Sequence, residues 1–158
     1  MLQHGAAMEY RNLGHSGLKV SRVALGSWLT FGAALDEARA VRLVAEAQEL
    51  GINLLDTADV YRAGEGESLL GRAIRPLQRH RLVLASKCFF PMSDDPNDRG
   101  LSRKHVHESI DGSLRRLGTD YIDLYQIHRW DPVVPIDETL EALNDLVRAG
   151  KEIGRAHV

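Results

Sequence analysis

The chain has 158 residues, 44% of them hydrophobic and 27% charged, with a formal net charge of -2. This is the balance of one soluble globular domain that can bury a core, and it leaves no electrostatic footprint for nucleic acid. No run approaches the roughly 18 consecutive apolar residues that cross a bilayer, and the single Cys88 precludes an internal disulfide.

The N-terminus lacks the basic-then-apolar pattern of a secretory signal, so a reducing, cytoplasmic setting is expected. Residues 1–7 show no periodicity and are expected to be an N-terminal extension, with Met8 as the natural start. From Tyr10 to Ser21, short apolar stretches flank the turn signal Gly14-His-Ser-Gly17, which predicts a small hairpin. Val23 to Trp28 then reads as a short buried strand. Asp36 caps a helix on which Ala40, Leu43, Val44, Ala47 and Leu50 share a face, and Gly51 stops it.

The apolar run Ile52 to Ala58 follows as a strand, with Leu69, Leu70, Ala73 and Ile74 on a second helix that ends near Pro76. Leu82 to Cys88 is the next strand. After a polar loop with Pro91, Pro96 and Gly100, Ser102 caps a helix with Val106, Ile110, Leu114 and Leu117 on its apolar face, closed by Gly118. Tyr121 to His128 is another strand. Asp137 is expected to cap a last helix, with Leu140, Leu143 and Val147 inward and Gly150 at its end.

A hairpin followed by alternating strands and helices implies a parallel sheet covered by helices. Two architectures fit the alternation: an open doubly wound sheet, or part of a (β/α) barrel. A complete eight-unit barrel takes at least roughly 200 residues, more than this chain has.

In a (β/α) barrel, chemistry collects at the C-terminal ends of the strands. Here the first strand ends at Ser27 and Trp28, the second at Asp56 with Tyr61 just beyond, the third at Lys87 and the fourth at His128. Each side chain alone has a structural explanation: a capping carboxylate, a packing ring, a snorkelling lysine, a satisfied histidine. Their joint placement at strand ends favours chemistry. Together these types suit proton donation to a carbonyl oxygen. An ammonium beside a phenol favours its ionised form, a carboxylate holds that ammonium, and a histidine can donate a hydrogen bond to the substrate oxygen. No side chain supplies a hydride, so a reduction needs a cofactor such as a nicotinamide nucleotide.

Asp56-Thr-Ala-Asp-Val-Tyr61, Lys87 after Val83-Leu-Ala-Ser86, and Tyr121-Ile-Asp-Leu-Tyr-Gln-Ile-His128 closely resemble the aldo-keto reductase family. The resemblance runs from about Met8 to Lys151. Gly100-Leu-Ser-Arg-Lys-His105, His128-Arg-Trp-Asp-Pro132 and Tyr10-Arg-Asn-Leu-Gly14 are most similar to the branch of voltage-gated potassium channel β-subunits and their bacterial relatives.

The resemblance implies a (β/α)8 TIM barrel, represented here by the N-terminal hairpin and about four β/α units, that uses NADPH to reduce aldehydes or ketones to alcohols. Tyr61 is then the proton donor, Asp56 and Lys87 its tuning pair, and His128 the orienting group. Ser27, Trp28 and Asp56 match cofactor-binding positions, whereas Ala34 stands where relatives carry a glutamine on the cofactor. The hairpin would plug the bottom of the barrel. Much of the cofactor site would lie in the other half, so the short chain is expected to be inactive. The alternative function is a nucleotide-binding regulatory subunit. The expected partners are a small-molecule carbonyl substrate and, in the full-length parent, further copies of the chain, with no nucleic acid and no membrane.

Several signals are discounted. Gly64 to Gly71 is not a dinucleotide fingerprint, because its third glycine falls too late. His105 and His107 do not share a helix face and Cys88 has no spaced partner, so no metal site is expected. Arg79-His-Arg81, Arg115 and Arg116 are read as solvated. Residues 8–152 are taken as the barrel half, and 153–158 as a non-native tail, because Ile153 to Val158 departs from the family and reads like one frame of a sequencing adapter.

Overall fold

The computed structural model describes residues 7–32 and 34–155. Strands β1 (Tyr10–Asn12) and β2 (Lys19–Ser21) form an antiparallel hairpin. Strands β3 (Ala24–Gly26), β4 (Leu54–Asp56), β5 (Val83–Cys88), β6 (Ile122–Ile127) and β7 (Glu152–Arg155) make a five-stranded sheet in sequence order, every pairing parallel. Helices α1 (Glu37–Glu49), α2 (Glu65–Ile74), α3 (Arg103–Leu117) and α4 (Ile136–Arg148) connect them, each packing on the next. The described residues therefore hold the hairpin, four β/α units and a fifth strand, in an open sheet with β3 and β7 at its edges. No described helix is long and apolar enough to cross a membrane.

The expected N-terminal extension and C-terminal tail fall mostly on residues 1–6 and 156–158, which lie outside the described residues. Ile153 and Gly154 belong to β7, where Gly154 pairs with Leu124.

Local chemistry sets the element ends. The Asp36 carboxylate accepts from the Arg39 N–H at 2.8 Å at the start of α1, and the Ser102 hydroxyl accepts from the His105 N–H at 3.2 Å at the start of α3. Gly118 closes α3 in the left-handed conformation, φ 66°. The start of α4 differs from expectation. The cap is Pro135, whose carbonyl accepts from the Glu138 N–H at 3.1 Å, so Asp137 sits inside the first turn. Its buried face is Thr139, Ala142, Leu143 and Leu146, and Leu140 is 47% exposed, so the expected apolar face is rotated. Strand β3 is also not buried: as an edge strand it leaves Ala24 and Gly26 exposed.

The core lies between sheet and helices, with Leu55, Leu84 and Tyr125 of the strands facing Leu70, Val106, Ile110 and Leu146. Strand side chains alternate between faces. Asp56 follows Leu55, Lys87 lies three residues after Leu84, and His128 lies three after Tyr125, so all three take the face opposite the core. At the other end of the strands the hairpin docks on Asn53, which accepts from the Ser21 N–H at 2.8 Å and donates to the Lys19 carbonyl at 3.0 Å.

Candidate active site

Asp56 is the last residue of β4 and Lys87 the penultimate residue of β5, so their side chains meet above neighbouring strands. The Lys87 Nζ donates to Asp56 Oδ1 and Oδ2, both at 2.8 Å, and to the Thr57 carbonyl at 2.8 Å. The Lys87 side chain is only 15% exposed, a position where an ammonium persists if its charge is matched, and Asp56 matches it. Past β4 the chain stays on β5, with the Thr57 N–H donating to the Ala85 carbonyl at 2.9 Å and the Asp59 N–H to the Lys87 carbonyl at 3.1 Å. It then turns back, bringing the Tyr61 hydroxyl to 3.4 Å from Nζ.

His128 follows β6 directly, its N–H donating to the Cys88 carbonyl at 2.9 Å. Its ring stands edge-on to Tyr61, centroids 5.9 Å apart, and to Phe90, 4.9 Å apart. Burial, then the nearby Lys87 cation, lower its pKa below 6.5. The ring is therefore neutral at pH 7, and its Nδ1 is buried without a hydrogen-bond partner, which leaves Nε2 as the nitrogen able to reach a ligand. Trp28 is 65% exposed and stacks against Tyr61 at 6.3 Å and 29°. Ser27 is 2% exposed and its hydroxyl donates to Thr57 Oγ1 at 2.8 Å, tying the end of β3 to that of β4. Ala34 lies exposed before α1, and its methyl group offers no hydrogen bond.

Asp56, Tyr61, Lys87, His128, Trp28 and Ser27 thus share one rim. Two buried carboxylates support this rim. Asp59 is fully buried, accepting from the Val60 N–H at 2.6 Å and the Ser109 hydroxyl at 2.8 Å, which fixes the turn that carries Tyr61. Burial pushes its pKa up to about 6. Glu67 is also fully buried, bridging the Ser86 hydroxyl at 2.6 Å and Arg116 Nε at 2.7 Å. The sequence signal for Asp59 was its place between Asp56 and Tyr61; Glu67 had none beyond its helix.

Arg116 is consequently not a solvated residue. It pairs with Glu67 and packs under the turn after Tyr61, where Arg62, Ala63 and Gly64 have φ of 55°, 52° and 90°. A Cβ on Gly64 would lie 2.7 Å from Arg116 Cδ, so that turn admits Arg116 only with glycine there. Arg79 is also engaged, donating to Asp123 Oδ2 at 2.6 Å, to Thr119 Oγ1 at 2.9 Å and to the Tyr121 carbonyl at 2.8 Å. Burial pushes the Cys88 thiol up to about 12, which keeps it out of thiolate chemistry.

The profile of the Aldo/keto reductase family matches residues 22–153, most of the chain and all of this rim. The chain belongs to the aldo/keto reductase family. Among curated relatives it is 43% identical over 145 residues to a probable voltage-gated potassium channel subunit beta of Oryza sativa subsp. japonica, covering 90% of this chain and 44% of that protein. It is 41% identical over 174 residues to an aldo-keto reductase of Metarhizium robertsii, covering 90% and 46%. A putative potassium channel subunit beta of Schizosaccharomyces pombe is 43% identical over 146 residues, covering 90% and 42%. These relatives bear out the resemblance to the channel β-subunit branch. The chain spans less than half the length of each.

Proposed function

We propose that this segment forms the catalytic corner of an NADPH-dependent oxidoreductase, reducing aldehydes or ketones to alcohols in a cytoplasmic setting. The observation that carries the proposal is the Lys87 ammonium, 2.8 Å from both Asp56 oxygens and 3.4 Å from the Tyr61 hydroxyl. In this reading Tyr61 gives its proton to the substrate oxygen. The ammonium stabilises the negative charge left on the phenol oxygen, and Asp56 balances and orients the ammonium. His128, neutral, donates a hydrogen bond to the same substrate oxygen and sets the direction of approach.

NADPH, when bound, supplies the hydride that no side chain can. The rim suits its flat ring end: Trp28 offers an open aromatic face beside Tyr61, and the Asp56 side chain is 35% exposed. Trp28 and Asp56 would hold it there, with the buried Ser27 hydroxyl bracing the ends of β3 and β4 beneath them. In the full-length protein, further β/α units would close the sheet into an eight-unit barrel and complete the cofactor site.

The test is to graft residues 8–152 in place of the matching segment of the Metarhizium robertsii relative and follow NADPH oxidation over a panel of aldehydes. Turnover that Tyr61→Phe lowers by about a hundredfold or more supports the reading, in line with the effect of a general acid. Equal turnover by the two proteins contradicts it. The 158-residue chain alone is predicted to bind NADPH weakly, and submicromolar affinity in a fluorescence titration would overturn that part. The names of the Oryza sativa and Schizosaccharomyces pombe relatives favour a second reading, a nucleotide-binding regulatory subunit. Tight NADPH binding by the graft without aldehyde turnover would select it.

A further inference from the structure

The Tyr61 side chain is weakly held by its own contacts. Its hydroxyl meets Lys87 Nζ at 3.4 Å, longer than an ordinary hydrogen bond, and has no other hydrogen-bond partner among the described residues. Its ring lies beside Trp28 and edge-on to His128, but Trp28 is itself mostly exposed and anchors little. The place of the phenol is therefore set by its main chain.

That main chain is strained. Directly after Tyr61, Arg62 and Ala63 take φ of 55° and 52°, a conformation that such residues seldom adopt and that persists where the surroundings impose it. On one side α2 closes on the turn: the Gly66 N–H donates to the Tyr61 carbonyl at 3.1 Å, and a Cβ on Gly66 would lie 3.2 Å from Tyr61 Cβ. On the other side stands Asp59. Its N–H donates to the Lys87 carbonyl, one carboxylate oxygen accepts from the Val60 N–H, and the other accepts from the hydroxyl of Ser109, a buried residue of α3. A loop anchor could attach at any point along residues 57–64. This one joins the backbone of Lys87 to the residue before Tyr61, the two groups whose separation governs the proton transfer, and braces both on a helix 50 residues away in the chain.

Building on the reductase reading, we infer that Ser109 and Asp59 are positioning residues for the reaction. Neither touches substrate; together they hold the Tyr61 hydroxyl within reach of Lys87.

Kinetics and nuclear magnetic resonance of the grafted protein test this. Because a reacting group misplaced by about 1 Å can lose up to about a hundredfold in rate, Asp59→Ala should lower kcat about thirtyfold and Ser109→Ala about fivefold, with KM for the aldehyde unchanged. Asp59→Asn keeps an acceptor for the Val60 N–H and offers an amide to Ser109, so it should stay within about twofold of the parent. In a Tyr61→Phe background, Asp59→Ala should cost nothing more, because no proton donor is left to misplace. Both alanine variants should also weaken the nuclear Overhauser contacts of the Tyr61 ring with Trp28 and His128. Should Asp59→Ala fail to fold, Ser109→Ala, which removes a single hydroxyl, decides. Unchanged kcat and intact ring contacts in Ser109→Ala would overturn the inference. So would an equal loss from Asp59→Ala with and without the Tyr61 hydroxyl, which would mark Asp59 as a general support of the fold. If Tyr61→Phe itself leaves turnover unchanged, the reductase reading fails; the ring contacts then decide the positioning alone, weakened contacts supporting it and intact ones overturning it.

Discussion

Asp59→Asn should stabilise the fold at neutral and higher pH, and not in acid. The Asp59 carboxyl is fully buried and its pKa is raised from 3.8 to about 6, chiefly by burial and secondarily by the nearby Glu67. A rise of that size corresponds to about 3 kcal/mol against the ionised form. Because the folded-state value lies above the unfolded one, the acid favours folding fully below pH 3.8. That contribution is lost as pH rises through about 6. Asparagine keeps the acceptor for the Val60 N–H, while the Ser109 hydroxyl must turn to accept from the new amide, which offsets about 1 kcal/mol. The net gain at pH 7.5 is then about 2 kcal/mol. Urea denaturation of both proteins from pH 4 to pH 8 measures it, and comparing the two cancels the titration of all other groups. An advantage that grows from pH 4 to pH 7 is expected. A difference independent of pH would refute the reasoning.

Other side chains give sharp expectations. Arg116→Gln strands the buried Glu67 carboxylate and should destabilise the fold by about 3 kcal/mol, whereas adding Glu67→Gln should recover most of the loss in the same denaturation assay. Gly71→Ala should also destabilise. Alanine favours a helix by about 1 kcal/mol, but its Cβ would lie 2.5 Å from the Arg116 carbonyl oxygen, a backbone clash that costs about 2 kcal/mol or more. Nuclear magnetic resonance titration should place the His128 pKa below 6.5, and Lys87→Met should raise it by removing a neighbouring cation. An unchanged value in that variant would show that burial alone sets it.

The sequence made the rim legible because strands here end where apolar runs meet polar residues. Lys87 and His128 could be placed by counting from the core residues Leu84 and Tyr125, since side-chain alternation alone decides their face. Caps at Asp36 and Ser102 were legible because their partners lie three residues away. What escaped depended on distant partners. Arg116 meets Glu67 across 49 residues and Arg79 meets Asp123 across 44, so each looked like an ordinary charge on its own element. The face of α4 was misjudged because Leu140 and Leu146 are equally apolar, and only the position of α3 decides which is covered. For β3, composition suggested burial, but its place at the sheet edge is a property of topology.

The most direct test of the central claim, that Lys87 and Tyr61 move one proton as a unit, is a double-variant cycle in the grafted protein. Single-turnover rates of aldehyde reduction would be measured for Tyr61→Phe, Lys87→Met and the two combined. Groups that act together lose their function once. The combined variant is predicted to be no slower than the worse single one, each at least about a hundredfold below the parent. Losses that multiply would mean that the two side chains act independently, and would contradict the account.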